Sequence, residues 1–161
     1  MKTFTLLVTT LLLATSAHAS EGTLTSFLDS ISGRWDGRGQ VQNASERIGY
    51  RMDLELAREP ADVASWNLHT QANSDSGSIV TQNVAFSVRG DILYVSGEPV
   101  RILETSPLSL TYQITRSDFY SGRIYVTTYQ AQSDGRTMTG HNTVETNGVS
   151  IQDETFTAHH W

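Results

Sequence analysis

Alternation of apolar and polar residues dominates the chain from residue 33 onward. In the clearest run, apolar side chains occupy every second position from Ile48 to Leu56, with Gly, Arg, Asp and Glu between them. A period of two is typical of an antiparallel strand with one buried face. The same pattern predicts ten strands, at residues 33–43, 46–58, 64–72, 78–89, 91–97, 100–106, 108–117, 122–132, 136–146 and 149–159.

A short segment with apolar residues at helical spacing precedes the first predicted strand. Leu24, Phe27, Leu28 and Ile31 recur at steps of three and four residues, which predicts a short amphipathic helix of two turns at most, ending at Gly33.

Short turn signals separate the predicted strands. Gly90-Asp91, Asp134-Gly135 and Asn147-Gly148 supply the positive φ that two-residue hairpin loops need. An open sheet of ten hairpin-linked strands would leave two long edges, so we expect the sheet to close. The predicted fold is all-β: an up-and-down antiparallel β-barrel of about ten strands with a short N-terminal helix. A β-sandwich is the alternative, because short alternating strands describe it too.

The N-terminus resembles a secretory signal peptide. Lys2 is followed by an apolar run, and Ala17-His18-Ala19 places small residues before a cleavage site. The alternative of a membrane anchor is disfavoured, because the run is shorter than the about 20 residues that a bilayer requires. We therefore expect cleavage after Ala19, a mature domain at residues 20–161, and a periplasmic or secreted location.

Composition narrows the function classes. The chain has 161 residues, which is one domain, and no cysteine, which excludes disulfides, thiolate metal sites and a cysteine nucleophile. Its net charge of −6 would become −7 on removal of Lys2, so we expect no nucleic-acid partner. No later segment approaches 18 consecutive apolar residues, so we expect no stable membrane insertion.

The register of two hairpins predicts which side chains face the interior. With two-residue loops at Asp134-Gly135 and Asn147-Gly148, Asn142 pairs with Asp153, and His141 pairs with Glu154 on the opposite face. The interior face would carry Tyr125, Tyr129, Asn142, Val144, Ile151 and Asp153. A three-residue loop with a glycine bulge at Gly135 would instead turn both tyrosines outward.

A barrel of ten strands should enclose a cavity, since eight strands are just filled by their own side chains. Aromatic and aliphatic walls with a few polar groups are typical of a small-molecule site. The candidate ligand-binding residues are Trp35, Tyr50, Met52, Trp66, Phe86, Tyr112, Tyr125, Tyr129, Asn142 and Asp153. Asp153 is the candidate for orienting a polar ligand group, because a carboxylate on an apolar face needs a partner. The alternative interpretation is that these residues are simply core.

The segment Gly33-Arg34-Trp35-Asp36-Gly37-Arg38-Gly39 opens the first strand. This G-x-W-x-G-x-G pattern resembles the opening of lipocalin-like barrels, and more closely of nitrobindin-like ten-stranded barrels. The resemblance implies that Trp35 closes one end of the barrel and that Gly37 and Gly39 let the strand bend. The same interpretation follows from physical arguments, because alternating glycines indicate a bent strand and a large aromatic ring can fill the open end of a barrel.

The resemblance is incomplete near the C-terminus. Lipocalins commonly stack a late Arg on the Trp, but no Arg follows Arg136 here. Nitrobindin-like proteins bind haem through a late histidine, which implies His159 or His160, yet the surrounding residues differ from that family's pattern. We expect no cofactor, with haem as the alternative, and no metal, because the histidines are scattered.

The leading functional hypothesis is a secreted or periplasmic barrel that binds a small hydrophobic molecule. One alternative is an enzyme on the same scaffold, an isomerase or hydrolase using Asp153 or His141, although we assign no catalytic residue. Another is a protein-interaction or inhibitor barrel that uses residues 20–31 or its open end. An outer-membrane barrel, with its apolar face outward, is the last alternative.

Overall fold

The computed structural model of the protein describes residues 20–161. The predicted signal peptide, residues 1–19, lies outside the described residues. The elements are one helix and eleven strands: α1 (Glu21–Ser30), β1 (Gly33–Asn43), β2 (Arg47–Glu59), β3 (Asp62–Ser74), β4 (Ile79–Arg89), β5 (Ile92–Val95), β6 (Glu98–Pro99), β7 (Arg101–Ser106), β8 (Ser109–Ser117), β9 (Ile124–Ser133), β10 (Thr137–Thr146) and β11 (Val149–His160).

The strands form one antiparallel sheet in the order β6-β5-β4-β3-β2-β1-β11-β10-β9-β8-β7. The two edge strands, β6 and β7, are consecutive in the chain and separated only by Val100, so the sheet curls into a nearly closed barrel. The predicted β-barrel is confirmed, and the β-sandwich alternative is wrong. The additional strand, Glu98–Pro99, is too short to produce an alternating pattern.

Helix α1 closes one end of the barrel, which we call the base. Ser20 caps the helix, its hydroxyl accepting a hydrogen bond from the Thr23 amide, and the helix is longer than the predicted two turns. Leu24, Phe27 and Leu28 are buried against apolar side chains from the lower ends of β2, β3, β4 and β8. No helix within residues 20–161 is long and apolar enough to cross a membrane.

The opposite end of the barrel, which we call the mouth, carries the hairpin loops at residues 44–46, 75–78, 118–123 and 147–148. The apolar face of the strands lines the interior, where the buried residues form two adjoining clusters. The apolar face therefore points inward, whereas the outer-membrane alternative requires it to point outward.

The register of the last three strands differs from the predicted one in two places. The β9–β10 turn lies at residues 135–136, one residue later than predicted, which shifts the register by two and leaves Tyr129 facing inward. The Asn147-Gly148 turn forms as predicted, with positive φ at both residues. A β-bulge between Val144 and Glu145, however, shifts β11 by one residue relative to β10.

Candidate functional site

The barrel interior contains a cavity of about 590 Å³ that begins above the base and reaches the mouth. Phe27, Leu28 and Ile31 form its floor, and aliphatic and aromatic side chains of the strands form its walls. Ser74, Ser76 and Ser78 of the β3–β4 hairpin contribute hydroxyl groups at the mouth. This volume lies within the range of small-molecule pockets, which runs from about 300 to 1,000 Å³.

The structure brings six of the ten predicted site residues together on the cavity wall. These residues are Tyr50, Met52, Phe86, Tyr112, Tyr129 and Asn142. Tyr125 is half-buried beside Thr146 and Arg116, nearer the mouth, and is not part of the wall. Trp35, Trp66 and Asp153 also lie elsewhere.

Trp35 and Trp66 belong to the packed base and not to the cavity wall. The Trp35 indole Nε1 donates a hydrogen bond of 2.9 Å to the Ile31 carbonyl, and its ring meets the His160 ring edge-on. The Trp66 Nε1 donates to Asp29 Oδ1 at 3.2 Å, and the Arg58 guanidinium lies over its ring. Both indoles are fully buried, so they anchor α1 across the barrel end.

Asp153 lies on the outer surface of the barrel, so its predicted interior position is wrong. The bulge between Val144 and Glu145 pairs Asn142 with Glu154 and Thr143 with Asp153. Asp153 Oδ2 instead lies 2.8 Å from His141 Nε2, and both side chains are about half exposed, at 49% and 45%. A shift of one residue exchanges the two faces of a strand, so Glu154 takes the interior position.

Glu154 is the one acidic side chain among the described residues of the cavity wall, and side chains of β2 and β10 position it. Its Oε1 accepts a hydrogen bond of 2.5 Å from the Tyr50 hydroxyl of β2, and its Oε2 accepts one of 2.9 Å from Asn142 Nδ2 of β10. Tyr50 reaches across β1 because residue 39 is glycine, where a Cβ would collide with the tyrosine hydroxyl and ring. Donors on both sides therefore fix the carboxylate in one orientation.

Three tyrosines supply further hydroxyl groups of the wall, and we refer to Tyr50, Tyr112 and Tyr129 as the cavity tyrosines. Tyr112 and Tyr129 are stacked, with ring centroids 5.0 Å apart and planes at 16°. Burial raises the pKa of each cavity tyrosine, and the hydrogen bond to Glu154 and its charge raise the pKa of Tyr50 further. At Tyr129 the charge of Arg116 lowers the pKa and that of Glu154 raises it, both by less than burial does. They are therefore neutral hydroxyls at physiological pH, able to donate to Glu154 or to a ligand.

Sequence reasoning missed Glu154 and the role of Gly39. The predicted register puts Glu154 on the outer face opposite His141. Asp153 and Glu154 are adjacent and both acidic, so the alternating pattern of β11 does not distinguish which of them faces inward. The predicted position of Gly39 in the first strand is correct, but the glycine motif indicates only a bend in the strand and not space for the Tyr50 side chain.

The C-terminal histidines lie at the base, away from the cavity wall. His159 contacts the Thr137 hydroxyl at 3.3 Å, and His160 packs on Trp35 with its Nδ1 2.8 Å from the Trp161 carbonyl. Within residues 20–161, no three His, Asp or Glu side chains converge as a metal site requires.

No protein-family model and no curated protein matches the chain. Solved structures do match it. The S-type phycobiliprotein lyase CpeS from Guillardia theta superposes with a TM-score of 0.58 at 11% identity, covering 88% of this chain and 95% of that one. Rv2717c from Mycobacterium tuberculosis gives 0.57 at 11% identity, over 83% and 94% of the two chains.

A protein of unknown function from the DUF3598 family of Nostoc punctiforme matches with a TM-score of 0.60 at 11% identity. The match covers 83% of this chain and 49% of that one, so the present chain spans about half of that protein's length. At this level of identity the comparisons show the fold alone. The predicted resemblance is thus confirmed for the β-barrel fold alone, and neither the lipocalin nor the nitrobindin family is shown for this chain.

Proposed function

We propose that the protein binds a small, largely hydrophobic molecule in the barrel interior. The observation that carries this proposal is the cavity of about 590 Å³, whose walls are mostly aliphatic and aromatic and which reaches the surface at the mouth. Apolar walls supply affinity by removing ligand surface from water, and a few fixed polar groups supply orientation. Tyr50, Asn142 and Glu154 are the groups positioned to do this.

The similarity to the phycobiliprotein lyase of Guillardia theta supports the proposal only through the shared fold. It carries no information about the identity of the ligand for this chain. We further propose that the mature protein is periplasmic or secreted, on the basis of the signal-peptide pattern at residues 1–19.

Binding can be tested by titrating the purified protein with N-phenyl-1-naphthylamine, whose fluorescence rises in apolar surroundings. We expect saturable binding to one site. Ala72 lies on the cavity wall, so Ala72→Phe should fill part of the cavity and weaken binding at least about tenfold. Ala85 faces outward on β4, so Ala85→Phe is the matched control and should bind like the parent protein. Equal affinity in both variants, or no saturable binding, would contradict the proposal.

We also propose that no cofactor is needed for this activity. Free haem, titrated into the protein and followed by its absorbance, tests the alternative that the sequence resemblance implied. Tight binding of one haem per chain that His160→Ala abolishes would overturn this part of the proposal.

A further inference from the structure

We propose that the cavity accepts an organic cation, an amine with an apolar body whose ammonium group pairs with Glu154. This inference rests on the proposed function and specifies the chemical class of the ligand. It follows from the geometry of the carboxylate, from the aromatic rings beside it, and from the distribution of charge on the wall.

The Glu154 carboxylate is held in one orientation, but its hydrogen bonds do not occupy all of its acceptor positions. A carboxylate has about four acceptor positions, and Tyr50 and Asn142 occupy one on each oxygen. No ion pair within the described part of the chain includes Glu154.

Aromatic rings lie on the same level of the barrel as this carboxylate. Tyr112, Tyr129, Asn142 and Glu154 are successive register partners on β8, β9, β10 and β11. Burial raises the pKa of Tyr129, and of the two charges that act on this ring, Arg116 lowers the pKa and Glu154 raises it. A carboxylate that shares a cavity with aromatic rings is the combination that binds an alkylammonium through both an ion pair and cation–π contacts.

The distribution of charge favours the same class of ligand. Among the described residues of the wall, Glu154 is the one acidic side chain and Arg116 the one basic side chain. Arg116 is exposed and lies four residues beyond Tyr112 toward the mouth, where water and salt screen its charge more than that of the half-buried Glu154, although Arg116 still lowers the pKa of Tyr129. The net charge of −6 also attracts cations over a longer range.

The test uses three ligands with the same tail and different head groups: decylamine, decanol and decanoate. Each is titrated into the protein loaded with N-phenyl-1-naphthylamine, and its affinity is obtained from displacement of the probe. We expect decylamine to bind at least about tenfold more tightly than decanol, and decanoate to bind more weakly than decanol.

Glu154→Gln should remove the preference for decylamine over decanol, because it deletes the charge and keeps the shape. Asp153→Asn is the matched control, since it makes the same change of charge on the same strand but outside the barrel. This control should retain the preference.

The outcomes separate the two proposals. If the probe does not bind, the proposed function itself fails. If the probe binds but decanol or decanoate matches decylamine, the cavity is a ligand site and the inference of a cation is overturned. The wild-type comparison decides this even if Glu154→Gln does not fold. A preference that Asp153→Asn abolishes as completely as Glu154→Gln would also overturn the assignment to Glu154.

Discussion

Gly39→Ala tests whether a missing side chain on β1 lets Tyr50 reach Glu154. A Cβ at position 39 would overlap the Tyr50 hydroxyl and the adjacent ring carbon, and would lie 2.8 Å from the Thr155 carbonyl oxygen of β11. The tyrosine can move away by rotating its side chain, which breaks its hydrogen bond to Glu154. The Thr155 contact involves backbone and can be relieved only by separating two paired strands.

The expected cost follows from these two contacts. A hydrogen bond to a charged group contributes about 1.5–3 kcal/mol, and alanine recovers about 0.5–1 kcal/mol relative to glycine within a strand. With some displacement of the backbone, we expect a net loss of about 2 kcal/mol. For a domain of this size, that loss lowers the melting midpoint by roughly 4–8 °C.

Urea unfolding followed by tryptophan fluorescence measures this change, since Trp35 and Trp66 are buried in the folded state. Gly22→Ala is the matched control, because a Cβ at this exposed helical position meets nothing within 4 Å. The control should stabilise the protein by up to about 1 kcal/mol. In a Tyr50→Phe background, which already lacks the hydrogen bond, Gly39→Ala should cost about 1–2 kcal/mol less than in the wild type.

If Gly39→Ala is as harmless as Gly22→Ala, the proposed steric role of residue 39 is wrong. If its cost is the same with and without the Tyr50 hydroxyl, the strand contact alone is responsible. Tyr50 would then not depend on Gly39 for its position.

Two further predictions concern the base and the cavity. Asp29→Ala should lower the free energy of unfolding by about 1–3 kcal/mol, because it leaves the buried Trp66 indole N–H without an acceptor. Arg58→Ala should lower it by about 1 kcal/mol or less, because its ion pair with Asp29 is partly exposed. Equal losses for the two variants in urea unfolding would contradict this prediction. The pKa of each cavity tyrosine is raised above the ordinary value of 10.0, so stability is fully present below about pH 10 and is lost as the pH rises further. Tyrosinate absorbance and circular dichroism should therefore show these three of the six tyrosines ionising only with alkaline unfolding, and ionisation of all six in the folded state would refute the assignment.

The helix and the long strands could be predicted because each buries one regular face. The predicted second strand, 46–58, and the observed Arg47–Glu59 differ by one residue at each end. The helix begins where Ser20 can cap it, and its apolar positions face the barrel end. The residues that determine these elements are close together in the sequence, so the pattern of apolar and polar positions is sufficient to predict them.

The position of the acidic group could not be predicted in the same way. The two-residue turn at Asn147-Gly148 was correct, but the bulge two residues before it reversed the facing of β11 relative to β10. Asp153 and Glu154 are both acidic, so exchanging their faces leaves the pattern of charge unchanged. The error in the β9–β10 turn was harmless by contrast, because a shift of two residues preserves the facing of each side chain.

The site also depends on contacts between strands that no local pattern describes. Tyr50, Gly39, Phe156 and Gly140 are successive partners on β2, β1, β11 and β10. The Tyr50 ring lies over Gly39, and the Phe156 ring lies over Gly140, where a Cβ would overlap it. Each aromatic ring thus covers the neighbouring strand in the same direction around the barrel, because a glycine there leaves room for it. This displacement brings the Tyr50 hydroxyl of β2 to Glu154 of β11, two strands away, so the glycine positions determine which side chains can meet in the cavity.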